Sequence, residues 1–167
     1  IRPVFKKIGT PKGKMAIEDC LLSGLSIFSL KYKSLLQYDN QRADIGDNLK
    51  RLFGIAELPC DTYMRERLDE VDPRALRGCF TKLFAEVQRS KKLEPYQYLD
   101  NKYLISLDGT GYFSSKTVHC DQCCQKKHKN GSVTYYHHIL QAAVVNPVLK
   151  QVIPLAPEPI SQQDGHT

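Results

Sequence analysis

No stretch of this chain is long and apolar enough to cross a bilayer. The longest apolar-rich run, Cys20 to Leu30, covers eleven residues, where a spanning helix needs about 20. Cysteine is scarce, six in 167 residues, and that excludes a disulfide-built scaffold. Ten glycines without a period exclude a collagen-like chain, and 41% apolar residues exclude a disordered one. A Gly-rich phosphate loop, an HExxH helix and a nucleophile elbow are all missing. Neither an internal repeat nor a low-complexity tract interrupts the sequence.

What is present is an ordinary globular composition with a positive bias. The chain has 24 Lys plus Arg against 18 Asp plus Glu, a net charge of +6 and a pI near 9.0, an excess that favours polyanionic partners such as nucleic acid. The basic start (Arg2, Lys6, Lys7, Lys12, Lys14) ahead of the Cys20 to Leu30 run has the outline of a secretory signal. Glu18 and Asp19 directly before the run, and the lack of a small-residue cleavage site after it, argue against one. The expectation is a protein of a reducing cytoplasm with no membrane partner. The opening at Ile1 and the polar trail from Ser161 to Thr167 read as a piece of a longer chain.

From Met15 to Arg89 the periodicity is helical. Over Pro73 to Arg89, Leu76, Cys79, Phe80, Leu83, Phe84 and Val87 recur at helical spacing behind the start signal Asp72-Pro73. A second helix is expected from Ala16 to about Leu30, burying Leu21, Leu22, Leu25 and Phe28. A third is expected over roughly 41–56, on Ile45, Leu49, Leu52 and Phe53, and a shorter one after Pro59 with Asp61 as its N-cap. The period changes after Ser90, across Lys91 to Pro95, which places a boundary between a helical region 1–92 and a region 93–167. Lys102 to Leu107 alternates as a buried strand ending in Asp108, Val133 to Val145 reads as a central strand, and Lys150 to Leu155 as a third. Turns at Lys129-Asn130-Gly131 and Asn146-Pro147 make an antiparallel meander, and the fold class is α+β.

Three features could carry chemistry. Asp108, ahead of Gly109 and Gly111, suits a metal ligand at a strand end, although an Asp-Gly pair by itself more often makes a plain turn. Within a Cys/His-rich hairpin at 119–138, Cys120, Cys123 and His128 reproduce the C-x2-C-x4-H spacing of a compact zinc site. The knuckle's fourth position falls on Val133, so Cys124, His119, His137 or His138 would complete the shell. The alternative is a turn of free, redox-sensitive thiols whose pKa the nearby Lys126, Lys127 and Lys129 would lower. Thirdly, Lys116, Lys126, Lys127, His128 and Lys129 lie close to Tyr112, Phe113, Tyr135 and Tyr136, a mixture that could grip a nucleic-acid backbone or form a solvated hairpin over packed tyrosines.

The segment from Tyr103 to Ser115, YLISLDGTGYFSS, resembles the first catalytic strand of bacterial insertion-sequence DDE transposases. The cluster His119 to Cys124 with His128, the segment Tyr135 to His138, Val152 to Ile160, Leu22 to Tyr38 and Asp61 to Pro73 also resemble one subgroup of these elements, so the likeness covers nearly the whole chain. The resemblance implies a helical region that binds the double-stranded transposon ends, followed by a ribonuclease-H-like core whose first three strands form an antiparallel meander. It also implies Asp108 as the first of three carboxylates holding two Mg2+ ions for DNA cleavage and strand transfer, a homodimer in the complete protein, and a bacterial cytoplasmic setting.

The sequence departs from that pattern where it stops. The family's second Asp and its Glu lie further on, and Glu158 and Asp164 do not match them. One carboxylate cannot organise a two-ion site, so the expectation is a truncated transposase, inactive alone, whose Asp108 strand is an exposed edge. The competing expectation is a stand-alone zinc-binding module for DNA binding or regulation, in which Asp108 only makes a turn.

Overall fold

The structure, a computed structural model, describes residues 2–6, 8 and 13–161; Lys7 and Lys12 of the basic start, and Asp164, lie outside the described residues. The fold is α+β, and the chain divides into two compact units, Ile1–Cys79 and Phe80–Thr167.

The first unit contains α1 (Arg2–Phe5), α2 (Ile17–Ser29), α3 (Leu35–Phe53) and α4 (Asp61–Asp69). Helix α2 falls where its sequence predicts, with Glu18 and Asp19 in the first turn, at the positive end of the helix dipole. It packs against α1, α3 and α4 and buries Ile17, Cys20, Leu21, Leu22 and Ile27 together with Ser23 and Ser26. The buried face is not the one expected in full. Leu25 stands at its margin and Phe28 is 83% exposed. The small, fully buried Ser23 and Ser26 admit the ring of Tyr38 from α3, so the close approach of the two helices follows the serines.

Helix α3 begins at Leu35, earlier than its apolar period suggests, because Ser34 caps it. The Ser34 hydroxyl accepts from the Gln37 amide, and the Gln37 side chain accepts in turn from the Lys33 amide. It ends at Phe53, where Gly54 takes a left-handed φ of 67°. In α4, Asp61 is the first helical residue rather than the cap; Cys60 holds that place without a side-chain bond.

Asp19 ties these pieces together. Its side chain, 3% exposed, meets Arg2 Nη1 at 2.7 Å and accepts from the amides of Ala56 (3.0 Å) and Glu57 (3.3 Å). One buried carboxylate thereby holds α1, α2 and the segment after α3.

A 3-10 turn at Pro73–Leu76, capped by Asp72, leads into α5 (Arg77–Arg89). The division between units falls in the first turn of α5, ahead of the change of period after Ser90. Leu76 and Cys79 pack with the first core, whereas Phe84 and Val87 pack with the second, around Leu93, Tyr96 and Val144.

The second unit is an antiparallel sheet of β1 (Gln97–Tyr98), β2 (Lys102–Ser115), β3 (Cys124–Lys127), β4 (Val133–Val145), β5 (Ile153–Pro154) and β6 (Glu158–Ile160). Strand β4 is central, as its two-sided apolar pattern predicts. It pairs with β2 along one edge, and with β3, β6 and β5 in turn along the other. The third expected strand shrinks to β5, and β6 follows it.

Strand β2 corrects the sequence reading most. It does not stop at Asp108, because β4 offers ladder partners as far as Ser115↔Tyr135, and two glycines tolerate extended backbone as readily as a turn. Nor is it buried. Ile105 is 44% and Leu107 65% exposed, and residues pointing to both faces are exposed from Lys102 to Tyr112; beyond the short pairing with β1 its second edge also has no partner among the described residues. One residue, Tyr112, bulges out between the pairs Gly111↔His138 and Phe113↔His137.

Replacing Asp19 by Ala is expected to cost the first unit about 2–3 kcal/mol in urea unfolding, because two part-buried amide bonds and the ion pair with Arg2 are lost together. Arg2→Ala is expected to cost only about 1 kcal/mol, since the amides still satisfy the carboxylate. A larger loss for Arg2→Ala than for Asp19→Ala would contradict this account.

Candidate metal centre

The site forms in the connection from β2 to β3. At the end of β2 the Ser115 hydroxyl accepts from the amides of Thr117 (3.2 Å) and Val118 (2.9 Å), which turns the chain out of the sheet. A tight turn follows, closed by the Cys123 amide donating to the Cys120 carbonyl at 3.1 Å. The chain then enters β3 and returns through a three-residue hairpin. Its closing pair is His128 and Ser132, with Gly131 at φ 80° supplying the left-handed residue the loop requires.

That hairpin fixes the register, Cys124↔Tyr136 through Lys127↔Val133. One step further along the same register, Cys123 stands opposite His137. The Cys123 sulfur lies 3.2 Å from His137 Nε2, the Cys120 sulfur lies 3.3 Å from the same nitrogen, and the two sulfurs are 3.8 Å apart. The Cys120 amide also points at the Cys123 sulfur, at 3.3 Å. The three donor atoms all lie within 4.8 Å of one another and could hold a metal ion. The rings of Tyr112 and Phe113 flank His137, each with its centroid 5.7 Å away. The bulge at Tyr112 is what brings two successive aromatics onto one imidazole.

Cys124 and His128 are not part of this group. Side chains alternate across a strand, so Cys124 faces away from Cys123, and its sulfur approaches the Ile160 carbonyl at 3.8 Å. His128 sits five residues beyond Cys123 on the hairpin, roughly 16 Å away at about 3.3 Å per residue, and bonds the Thr134 hydroxyl at 2.8 Å. His137, one of the candidates for completing the shell, takes the place His128 was expected to fill. The knuckle spacing counts residues along the chain, whereas the hairpin folds His137 back across from Cys123. The signal was in the sequence: a turn centred on Lys129 to Gly131 dictates which residue of β4 opposes Cys123.

The expectation of lysine-activated thiols also fails at Cys123. Its sulfur is buried, and burial pushes the thiol pKa up; neighbouring thiols add to the rise and no lysine opposes it.

Asp108 lies apart, exposed in the middle of β2 and paired with Gln141. Gln141 and His137 are four residues apart on β4, so Asp108 shares a sheet face with the Cys/His group without joining it. Glu158 pairs with Leu140, the next residue of β4, and so belongs to the opposite face. Among the described residues Asp108 enters no group of three metal-ligating side chains. Lys126 and Lys127 stand on the short strand β3, paired with Thr134 and Val133. No helix among the described residues is long and apolar enough to cross a membrane.

Comparison with family models, with curated proteins and with solved structures gives no match to this chain.

The packing beside the site predicts a contrast between two glycines of β2. A Cβ at Gly111 would lie 3.0 Å from both Cδ2 and Nε2 of His138, whereas one at Gly109 meets nothing within 4 Å. In urea unfolding of the second unit, Gly111→Ala is expected to cost about 1 kcal/mol, and Gly109→Ala to be neutral or stabilising by roughly 0.5 kcal/mol. Equal effects would contradict the close approach of His138.

Proposed function

We propose that this chain is the front part of a DDE transposase, with a helical unit that meets the double-stranded ends of the element and a sheet that begins a ribonuclease-H-like core. The observation that supports this most is topological. A long strand carrying Asp108 at its middle pairs antiparallel with the central β4, whose other edge takes the returning β5 and β6, an order compatible with the meander that opens such a core. The resemblance of nearly the whole sequence, and its positive charge, point the same way.

The described residues do not make a magnesium site. Asp108 is a lone exposed carboxylate and Glu158 faces the other side of the sheet, so the two cannot share one ion. Its part in the reaction is to bind DNA and to contribute one carboxylate to a longer polypeptide, which in the complete protein acts as a homodimer in the bacterial cytoplasm. In gel-shift titration at low salt, the chain is expected to bind duplexes carrying the element's ends in preference to shuffled duplexes, and Asp108→Asn to change that affinity by less than about twofold. In the full reading frame, Asp108→Asn is expected to abolish Mg2+-dependent cleavage. Cleavage that survives this substitution would overturn the reading.

The second reading, a zinc-binding module, is favoured by the Cys120, Cys123 and His137 group. Two thiolates and an imidazole are zinc's preferred donors, and magnesium's preference is for oxygen. A tetrahedral zinc holding sulfur at about 2.3 Å and nitrogen at about 2.0–2.1 Å separates two sulfurs by about 3.8 Å and sulfur from nitrogen by about 3.5 Å. The observed 3.8, 3.3 and 3.2 Å fit that frame. The two readings are compatible, with zinc fastening the loop that connects β2 to β3. Removing zinc with a chelator is expected to abolish amide-exchange protection over residues 116–128 and to leave α2 to α4 unchanged. If Cys120→Ser with Cys123→Ser abolishes folding and zinc content while Asp108→Asn is silent even in the full reading frame, the module reading alone stands.

A further inference from the structure

Structural zinc takes four protein ligands, and the group described above supplies three. We infer that His119 is the fourth, so that the centre is a closed Cys2His2 site and not one left open to water. The inference rests on the zinc reading of Cys120, Cys123 and His137.

His119 directly precedes Cys120 and lines the same cleft as the three donors. Its ring stacks on Tyr135, with centroids 4.2 Å apart and planes 15° from parallel. Tyr135 and His137 are two residues apart on β4 and therefore share a face, so His119 stands on the side of the sheet where the ion would sit. A second contact selects its neutral tautomer. His119 Nδ1 lies 3.1 Å from the Thr117 carbonyl oxygen, and because a carbonyl can only accept, Nδ1 carries the hydrogen. In the neutral ring the lone pair is then on Nε2. Zinc-binding imidazoles are oriented by the same kind of bond, one nitrogen donating to a backbone carbonyl while the other faces the metal.

The remaining candidates are placed elsewhere. Cys124 faces Ile160, His138 lies on the opposite face beside Tyr136, and His128 is held by Thr134 at the far end of the hairpin. His119 itself lies outside the 4.8 Å span of the three donors, so completing the shell takes a swing of its ring off Tyr135 toward them.

The test is zinc-edge X-ray absorption on the whole chain loaded with Zn2+, combined with competitive titration of zinc affinity. Two sulfurs and two imidazoles are expected. His119→Ala is expected to leave one imidazole with an oxygen in place of the other, and to weaken affinity at least as much as loss of an outer-shell partner, roughly 10- to 100-fold. His119→Cys is expected to restore affinity with three sulfurs, which separates ligation from any effect on folding. A single imidazole in the unsubstituted protein, an affinity of His119→Ala equal to that of the unsubstituted protein, loss of affinity in Asp121→Ala instead, or zinc-dependent pairing of two chains would overturn the assignment of His119 and leave the three-ligand centre standing. Zinc that fails to bind, or binds without sulfur, would overturn the zinc reading and this inference with it.

Discussion

Everything about the Cys120, Cys123 and His137 group depends on the register of one hairpin. The three-residue loop between His128 and Ser132 sets β3 against β4, and strand geometry then decides which side chains can meet. With that register Cys123 faces His137; with a slip of one residue it would oppose a neighbour whose side chain points through the other side of the sheet. Tyr112 and Phe113 reach His137 because β2 bulges by one residue at the same level. The centre is therefore a product of backbone pairing on both flanks of β4, with the cysteine turn laid over it.

Placing a buried sulfur in such a centre has an electrostatic consequence. Cys123 is nearly inaccessible, and burial favours its neutral thiol. A cation shared with Cys120 and His137 would supply the charge that the surroundings lack, and the Cys120 amide aimed at the sulfur acts in the same direction. In the first unit Asp19 solves the converse problem. It is a buried carboxylate stabilised by one guanidinium and two amides, and it fastens a short N-terminal helix to the bundle.

Much of the architecture could be read from the sequence. Helix α2, the run from Pro73 to Arg89 and the central strand follow from periodicity and capping residues. What escaped that reading has physical reasons. The start of α3 is set by Ser34 and Gln37, two polar residues outside the apolar period. The packing of α2 against α3 is decided by serines small enough to admit Tyr38, which a search for apolar stripes passes over. At the site, Cys120 and Cys123 are legible from their spacing, whereas the choice of His137 over His128 is carried by the hairpin turn at Lys129 to Gly131 and not by linear spacing, which says nothing of the residue opposite. Asp-Gly so often makes a turn that Asp108 looks like a strand end, yet a long partner strand keeps that backbone extended.

Register, and not sequence spacing, selects the histidine. Native mass spectrometry of the zinc-loaded chain tests it directly by comparing His137→Ala with His128→Ala. His128→Ala is expected to keep a single bound zinc and His137→Ala to lose it under the same conditions. Retention of zinc by His137→Ala with its loss from His128→Ala would contradict it.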